Sequence, residues 1–160
     1  MNLTNVNFNN LPDNYLTGEE VFGGKRVVVF GLPGAFTPTC SSKQLPSYDE
    51  FYNDIIGYDI DEVYCVSVND GFVMKNWFTS LGVEYVKPLA DGNGDFTRRL
   101  GMLVNKSNLG FGLRSWRYAA VINNGVVEAL LAEDGIEDNC ETDPYENSTP
   151  LEVIEYLKNA

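Results

Sequence analysis

The chain's 160 residues, 44% of them hydrophobic and 12% aromatic, suffice for one full-sized core and leave little room for a second. Eleven basic residues against 23 acidic ones give a formal charge of −12, the wrong sign for binding nucleic acid or an anionic membrane surface. Histidine is absent, which excludes a histidine base, a Ser-His-Asp triad and histidine metal ligands.

Residues 1–24 read as polar and turn-rich, with Gly23-Gly24 as a break. The Asn-rich start from Met1 to Pro12 lacks the basic and apolar runs of a secretory signal. No run of 18 apolar residues offers a membrane span, so a cytoplasmic protein is expected. Val27-Val28-Val29-Phe30 is a short, continuous apolar run, the mark of a strand buried on both faces. After a loop with Gly31, Pro33, Gly34 and Pro38, residues Leu45, Tyr48, Tyr52 and Ile55 recur at helical spacing, with Gly57 as the stop. Glu62 to Val68 reads as the next strand and Phe72 to Leu81 as a helix ended by Gly82. Val83 to Leu89 reads as a third strand ahead of the turn Asp91-Gly92-Asn93-Gly94. Trp116 to Ile122 and Val126 to Ala132 flank Asn123-Asn124-Gly125, a hairpin signal. Thr149-Pro150-Leu151-Glu152 opens a terminal helix with a capping box and proline in its first position. Alternating elements followed by a hairpin predict an α/β, thioredoxin-like sandwich. It is expected to be one domain over residues 1–160, with a central mixed sheet flanked by helices.

Without histidine, the cysteines are the main chemical resource. Cys40, Cys65 and Cys140 are 25 and 75 positions apart, so no pair has the two-residue gap of a redox dithiol or a zinc knuckle. An odd count suits no disulfide-stapled scaffold. Cys40 follows the loop Pro33-Gly34-Ala35-Phe36-Thr37-Pro38-Thr39 and falls near the first turn of a helix, where free backbone N–H groups and the helix dipole favour a thiolate. The alternative is a buried apolar cysteine in a strand-to-helix turn. Thr37, three residues earlier, has a hydroxyl able to reach the sulfur or a substrate oxygen beside it. Pro46 lacks the N–H that would bond to the Ser42 carbonyl, which ties the turn holding Cys40 weakly to its helix and leaves it free to unwind. Asp91-x-Asn93-x-Asp95 starts like a calcium loop, yet Phe96 replaces the required glycine and Met102 the bidentate glutamate, so no metal is expected. The acidic stretch from Glu133 to Glu146 reads as a solvated surface loop.

Pro33-x-x-x-Thr37-x-x-Cys40 resembles the active-site motif of the peroxiredoxins. Pro33 to Pro38 and Leu45-Pro46 are similar to the type II branch (atypical, fifth-class). So are Val66-Ser67-Val68-Asn69-Asp70-x-Phe72-Val73-Met74, Asp91-Gly92-Asn93-Gly94 and Ser115-Trp116-Arg117-Tyr118. The stretch from Leu109 to Tyr118 resembles the peroxiredoxin domains that bacteria fuse to glutaredoxin, although no glutaredoxin domain is expected in this chain. The resemblance implies a thiol-dependent peroxidase that reduces hydrogen peroxide and organic hydroperoxides without a bound cofactor. Cys40 would be the peroxidatic thiolate, passing through a sulfenic acid, and Thr37 would hold the peroxide. Arg117 would stabilise the thiolate and the oxygen on which charge develops, and Pro33 would shield the sulfur from water. Three routes back to the thiol stay open. They are Cys65, placed as in plant-type members; Cys140, near where animal members place theirs; and an external reductant, either glutathione with glutaredoxin or thioredoxin. The resemblance also implies a homodimer. Type II members usually carry histidine where Gln44 stands, and glutamine can hydrogen-bond there but cannot titrate.

Overall fold

The computed structural model describes residues 2–160; Met1, at the head of the Asn-rich start, lies outside them. The segment expected to be turns contains structure. Phe8–Asn10 (β1) and Asn14–Leu16 (β2) pair as an antiparallel hairpin, and Gly18–Phe22 (α1) is a short helix capped by Thr17. Its signal is an alternation hidden by composition: Val6, Phe8 and Asn10 are buried while Asn5, Asn7 and Asn9 are exposed.

The apolar run becomes β3 (Arg26–Leu32), buried on both faces as expected. Cys40–Gln44 then forms a widened π-type turn that runs into α2 (Leu45–Glu50), and α3 (Tyr52–Ile56) follows a break at Phe51. The expected stripe holds across that break, with Leu45, Tyr48 and Ile55 buried. Next come β4 (Glu62–Ser67) and α4 (Gly71–Leu81), which Asp70 caps and Gly82 ends in the left-handed conformation. β5 (Lys87–Ala90) starts four residues later than Val83 suggests.

The Gly-rich turn leads into α5 (Asp95–Arg99), which the sequence reading lacks. Asp91 caps it by accepting from the Phe96 and Thr97 amides and the Thr97 hydroxyl. Those bonds consume the carboxylate that would have opened a calcium loop. A second unforeseen hairpin joins β6 (Leu103–Asn105) to β7 (Leu113–Ser115). β8 (Tyr118–Asn123) and β9 (Val126–Ala132) turn at Asn124-Gly125, and α6 (Pro150–Lys158) begins at the expected Thr149 cap.

The main sheet runs β5-β4-β3-β8-β9. β3, β4 and β5 are parallel, and β8 and β9 are added antiparallel beside β3, the mixed sheet that the element order predicts. Period-2 alternation divides its side chains between two cores. Val28, Phe30, Leu32, Val63 and Cys65 pack on one face with Cys40, Tyr48, Trp77 and Val153. Val27, Val29, Tyr64 and Val66 pack on the other with Phe8, Phe22, Phe96, Trp116 and Cys140. Among the described residues no helix is long and apolar enough to cross a membrane.

Candidate active site

The site is assembled where β3 ends. Pro33 breaks the strand, and its carbonyl accepts from Arg114 Nη1–H at 3.0 Å. Gly34 leaves room for this contact, because a Cβ at that position would lie 2.1 Å from the same Arg114 nitrogen and would push the guanidinium aside. The Ala35 amide donates to Asn69 Oδ1 at 3.0 Å, which pins the loop to the end of β4. Thr37 Oγ1–H donates to the Gly34 carbonyl at 2.7 Å rather than to the sulfur, leaving its lone pairs free. Three residues on, Cys40 is fully buried. The turn it opens is not α-helical: the Leu45 amide reaches back to the Cys40 carbonyl, five residues away, and Pro46 follows with no N–H to give. Trp77 Nε1–H donates to Ser41 Oγ at 2.9 Å and ties this turn to α4.

Arg117 approaches from the link between β7 and β8. It is 2% exposed, an arginine buried within the site rather than solvated at the surface. Its Nη2–H donates to Cys40 Sγ at 3.3 Å, and its Nε–H donates to Gln44 Oε1 at 2.7 Å. Nη1 donates to Asp143 Oδ1 and to the Pro144 carbonyl, and Tyr145 presents its ring 5.7 Å away. Burial alone would lower the arginine's pKa. The charges of Cys40 and Asp143 outweigh burial and raise it, so the guanidinium stays cationic. Gln44, itself fully buried, donates its Nε2–H to the Gly31 carbonyl at 3.3 Å and thus anchors Arg117 to β3. A buried sulfur lies against a fixed cation, three residues along the chain from a hydroxyl oxygen with unspent lone pairs, an arrangement suited to nucleophilic attack on a small polar oxidant.

The redoxin family model matches residues 3–148. The chain belongs to the peroxiredoxins of the redoxin family. A Rhizobium etli peroxiredoxin is 57% identical over 142 residues, which cover 89% of this chain and 79% of that one. The hybrid peroxiredoxin of Haemophilus influenzae is 47% identical over 142 residues, 89% of this chain and 57% of that protein. The crystal structure of the Plasmodium falciparum antioxidant protein, a 1-Cys peroxiredoxin, superposes with a TM-score of 0.93 at 38% identity, covering 100% of this chain and 98% of that one. The protein is thus a type II peroxiredoxin with the thioredoxin-like fold. It is an antioxidant, thiol-dependent peroxidase that draws its electrons from a thiol reductant rather than from a prosthetic group.

In this peroxiredoxin Arg117 meets Cys40 directly, Thr37 is tied to the same turn through its carbonyl, which accepts the Ser41 amide, and Pro33 is held by Arg114. Cys65 shares a core with Cys40 but faces inward from the middle of β4, in register with Phe30. Burial pushes its thiol well above the ordinary value, and the charge at Cys40 adds to the effect. Cys140 packs on the opposite side of the sheet. The acidic stretch is largely the solvated loop expected, with Asp134, Glu137, Asp138, Glu141, Asp143 and Glu146 exposed, and Glu133 is the exception. Glu133 is buried against the backbone of residues 146–148, and Asp143 pairs with Arg117. Asp143 and Arg114 are the site residues that sequence reasoning missed. One lies among seven acids in a single stretch, and the other immediately precedes the Ser115-to-Tyr118 motif that singles out Arg117.

Proposed function

We propose that Cys40 is the sulfur that attacks the hydroperoxide. The observation that carries this reading is the Arg117 Nη2–H donated to the buried Sγ at 3.3 Å, because a fixed cation beside a buried sulfur stabilises its anionic, nucleophilic form. The thiolate attacks the terminal peroxide oxygen, and an S–O bond forms as the O–O bond breaks. Sulfur gives up two electrons and becomes a sulfenic acid, and the alkoxide or hydroxide that leaves takes up a proton. Arg117 stabilises the charge developing on that leaving oxygen. Thr37, its own proton held by the Gly34 carbonyl, accepts the O–H of the peroxide. Pro33 limits the access of water to the sulfur.

The sulfenic acid is then reduced by an external thiol. One thiol expels water to form a mixed disulfide with Cys40, and a second releases Cys40 as the free thiol. The central burial of Cys65 and the position of Cys140 across the sheet favour this route over an internal partner. Likeness to the domains fused with glutaredoxin favours glutathione and glutaredoxin as reductants over thioredoxin. Exposed Phe36, Phe72, Leu109 and Leu113 support a homodimer, and three unpaired cysteines suit the cytoplasm.

The test is mass spectrometry of the reduced protein after one equivalent of hydrogen peroxide, with a sulfenic-acid trap present. An adduct on Cys40 alone is expected. A disulfide from Cys40 to Cys65 or Cys140 would replace the external route with an internal one, and an unmodified Cys40 would overturn the whole reading.

A further inference from the structure

An arginine side chain has five N–H donors, and in Arg117 all five are in use. Nε–H goes to Gln44 Oε1, and the two Nη1 hydrogens go to Asp143 Oδ1 and the Pro144 carbonyl. The two Nη2 hydrogens go to Cys40 Sγ and Asp143 Oδ2, each at 3.3 Å. A hydroperoxide oxygen that binds this guanidinium must therefore take a donor from a present partner. Geometry narrows the choice. An oxygen under attack by Sγ sits about 3–3.5 Å from it, beside Nη2, the nitrogen that touches the sulfur. Of the two acceptors on Nη2, sulfur is the nucleophile and has to stay. The other is Asp143 Oδ2, whose side chain is 49% exposed where Arg117 is 2% exposed, so its oxygen can pass to water at little cost.

We propose that Asp143 occupies the place of the substrate oxygen on Arg117, and that a hydroperoxide binds by displacing Oδ2 from Nη2. This makes Asp143 a specificity-determining residue acting through Arg117, and the inference rests on the reading of Arg117 given above. The exchange leaves the arginine in position, since Nη1 keeps Asp143 Oδ1 and the Pro144 carbonyl, and Nε keeps Gln44. It also leaves the loop in position, because Glu133 holds the amides of Glu146, Asn147 and Ser148 independently of Asp143.

The experiment compares Asp143→Asn and Asp143→Ala with the wild type in single-turnover oxidation by hydrogen peroxide and in steady-state recycling. Asparagine keeps one oxygen for Nη1 and has no second acceptor, so it frees an Nη2 hydrogen while preserving shape. Both variants are expected to raise kcat/KM for hydrogen peroxide about three- to tenfold, the equivalent of one hydrogen bond no longer displaced. The kcat/KM for the thiol reductant should stay as in the wild type, and the thermal midpoint of Asp143→Asn, which keeps the Nη1 acceptor, should stay as well. In an Arg117→Lys background the gain should vanish, which a loop effect unrelated to the arginine would not reproduce. Peroxide oxidation equal to or slower than wild type in the Asn variant overturns the inference. If Arg117→Lys alone oxidises as fast as wild type, the reading of Arg117 itself has failed, and the two failures are told apart.

Discussion

Gln44 and Arg117 are joined through the amide oxygen, which accepts Nε–H at 2.7 Å, while the amide nitrogen of Gln44 reaches the Gly31 carbonyl on β3 at 3.3 Å. Both polar ends of a fully buried, non-titrating side chain are thereby spent on aiming one arginine at Cys40. Gln44→Met keeps the bulk and leaves an N–H and a carbonyl unpaired. It should cost about 1–3 kcal/mol of stability and slow peroxide oxidation roughly tenfold or more, in line with the loss of a charge-stabilising group. Gln44→His instead adds a titrating group with an ordinary pKa of about 6.5. Neutral imidazole can accept from Arg117 and imidazolium cannot, so oxidation by this variant should fall below about pH 6.5 relative to wild type. Stopped-flow oxidation between pH 5 and 8 checks this, and parallel pH profiles would count against it.

Glu133 anchors the loop that carries Asp143. Its carboxylate accepts from the amides of Glu146 at 2.8 Å, Asn147 at 2.9 Å and Ser148 at 2.8 Å, and from the Ser148 hydroxyl. Burial by itself would raise its pKa; these hydrogen bonds outweigh burial and hold it below the ordinary carboxylate value. A depressed folded-state value means that the stabilisation is fully present above the unfolded value near 4.3 and is lost as pH falls through the folded one. Glu133→Gln should therefore cost about 1.5–3 kcal/mol at pH 7, measured by urea unfolding, with the gap to wild type closing below about pH 4. A gap of constant size down to pH 3 would refute the assignment.

Gly31 has a steric reason to be glycine. A Cβ there would lie 2.1 Å from Cε1 of the Tyr118 ring, which pairs with Gly31 across β3 and β8. Gly31→Ala should destabilise by about 1–3 kcal/mol through overpacking. Because the Gly31 carbonyl holds Gln44, it should slow peroxide oxidation as well, a coupling that calorimetry and stopped-flow together would detect. The Tyr118 hydroxyl is buried without a partner among the described residues. Tyr118→Phe should therefore leave the melting temperature unchanged or raise it.

The parallel strands and long helices were legible because burial on both faces writes continuous apolar runs, as in Val27 to Phe30, and because Gly82 ends α4 by the ordinary rule. The short elements were not. The alternation around Phe8–Asn10 is hidden because Asn stands on both faces, and Leu103–Asn105 holds too few side chains for periodicity, so packing against Phe22, Phe96 and Trp116 is what marks these strands. Pro33, Thr37, Cys40 and Arg117, the residues of the proposed site, stand out in the sequence because each belongs to a local motif. Asp143 belongs to none, and its role comes from a pairing 26 residues away in sequence.

The turn at Cys40 provides the last test. On the function proposed above, Cys40 must meet an external thiol, and because it is fully buried it can do so only if residues 40–44 open, so the hydrogen bonds of that segment would set part of the recycling barrier. Its Leu45 amide bonds to Cys40 in a wide turn, and Pro46 supplies no donor for the next carbonyl back. Side-chain hydroxyls serve part of this stretch instead, Ser42 donating to the Pro38 carbonyl at 2.7 Å and Ser47 to that of Gln44 at 2.9 Å. Pro46→Ala restores a backbone N–H that ordinary helical spacing would pair with the Ser42 carbonyl, expected to add one bond of about 1 kcal/mol that opening must break. Reduction of oxidised Cys40 by glutathione and glutaredoxin should slow about three- to tenfold in this variant. The measurement is the rate at which a pre-oxidised sample regains a free thiol, and a rate equal to wild type would remove Pro46 and the wide turn from the recycling step.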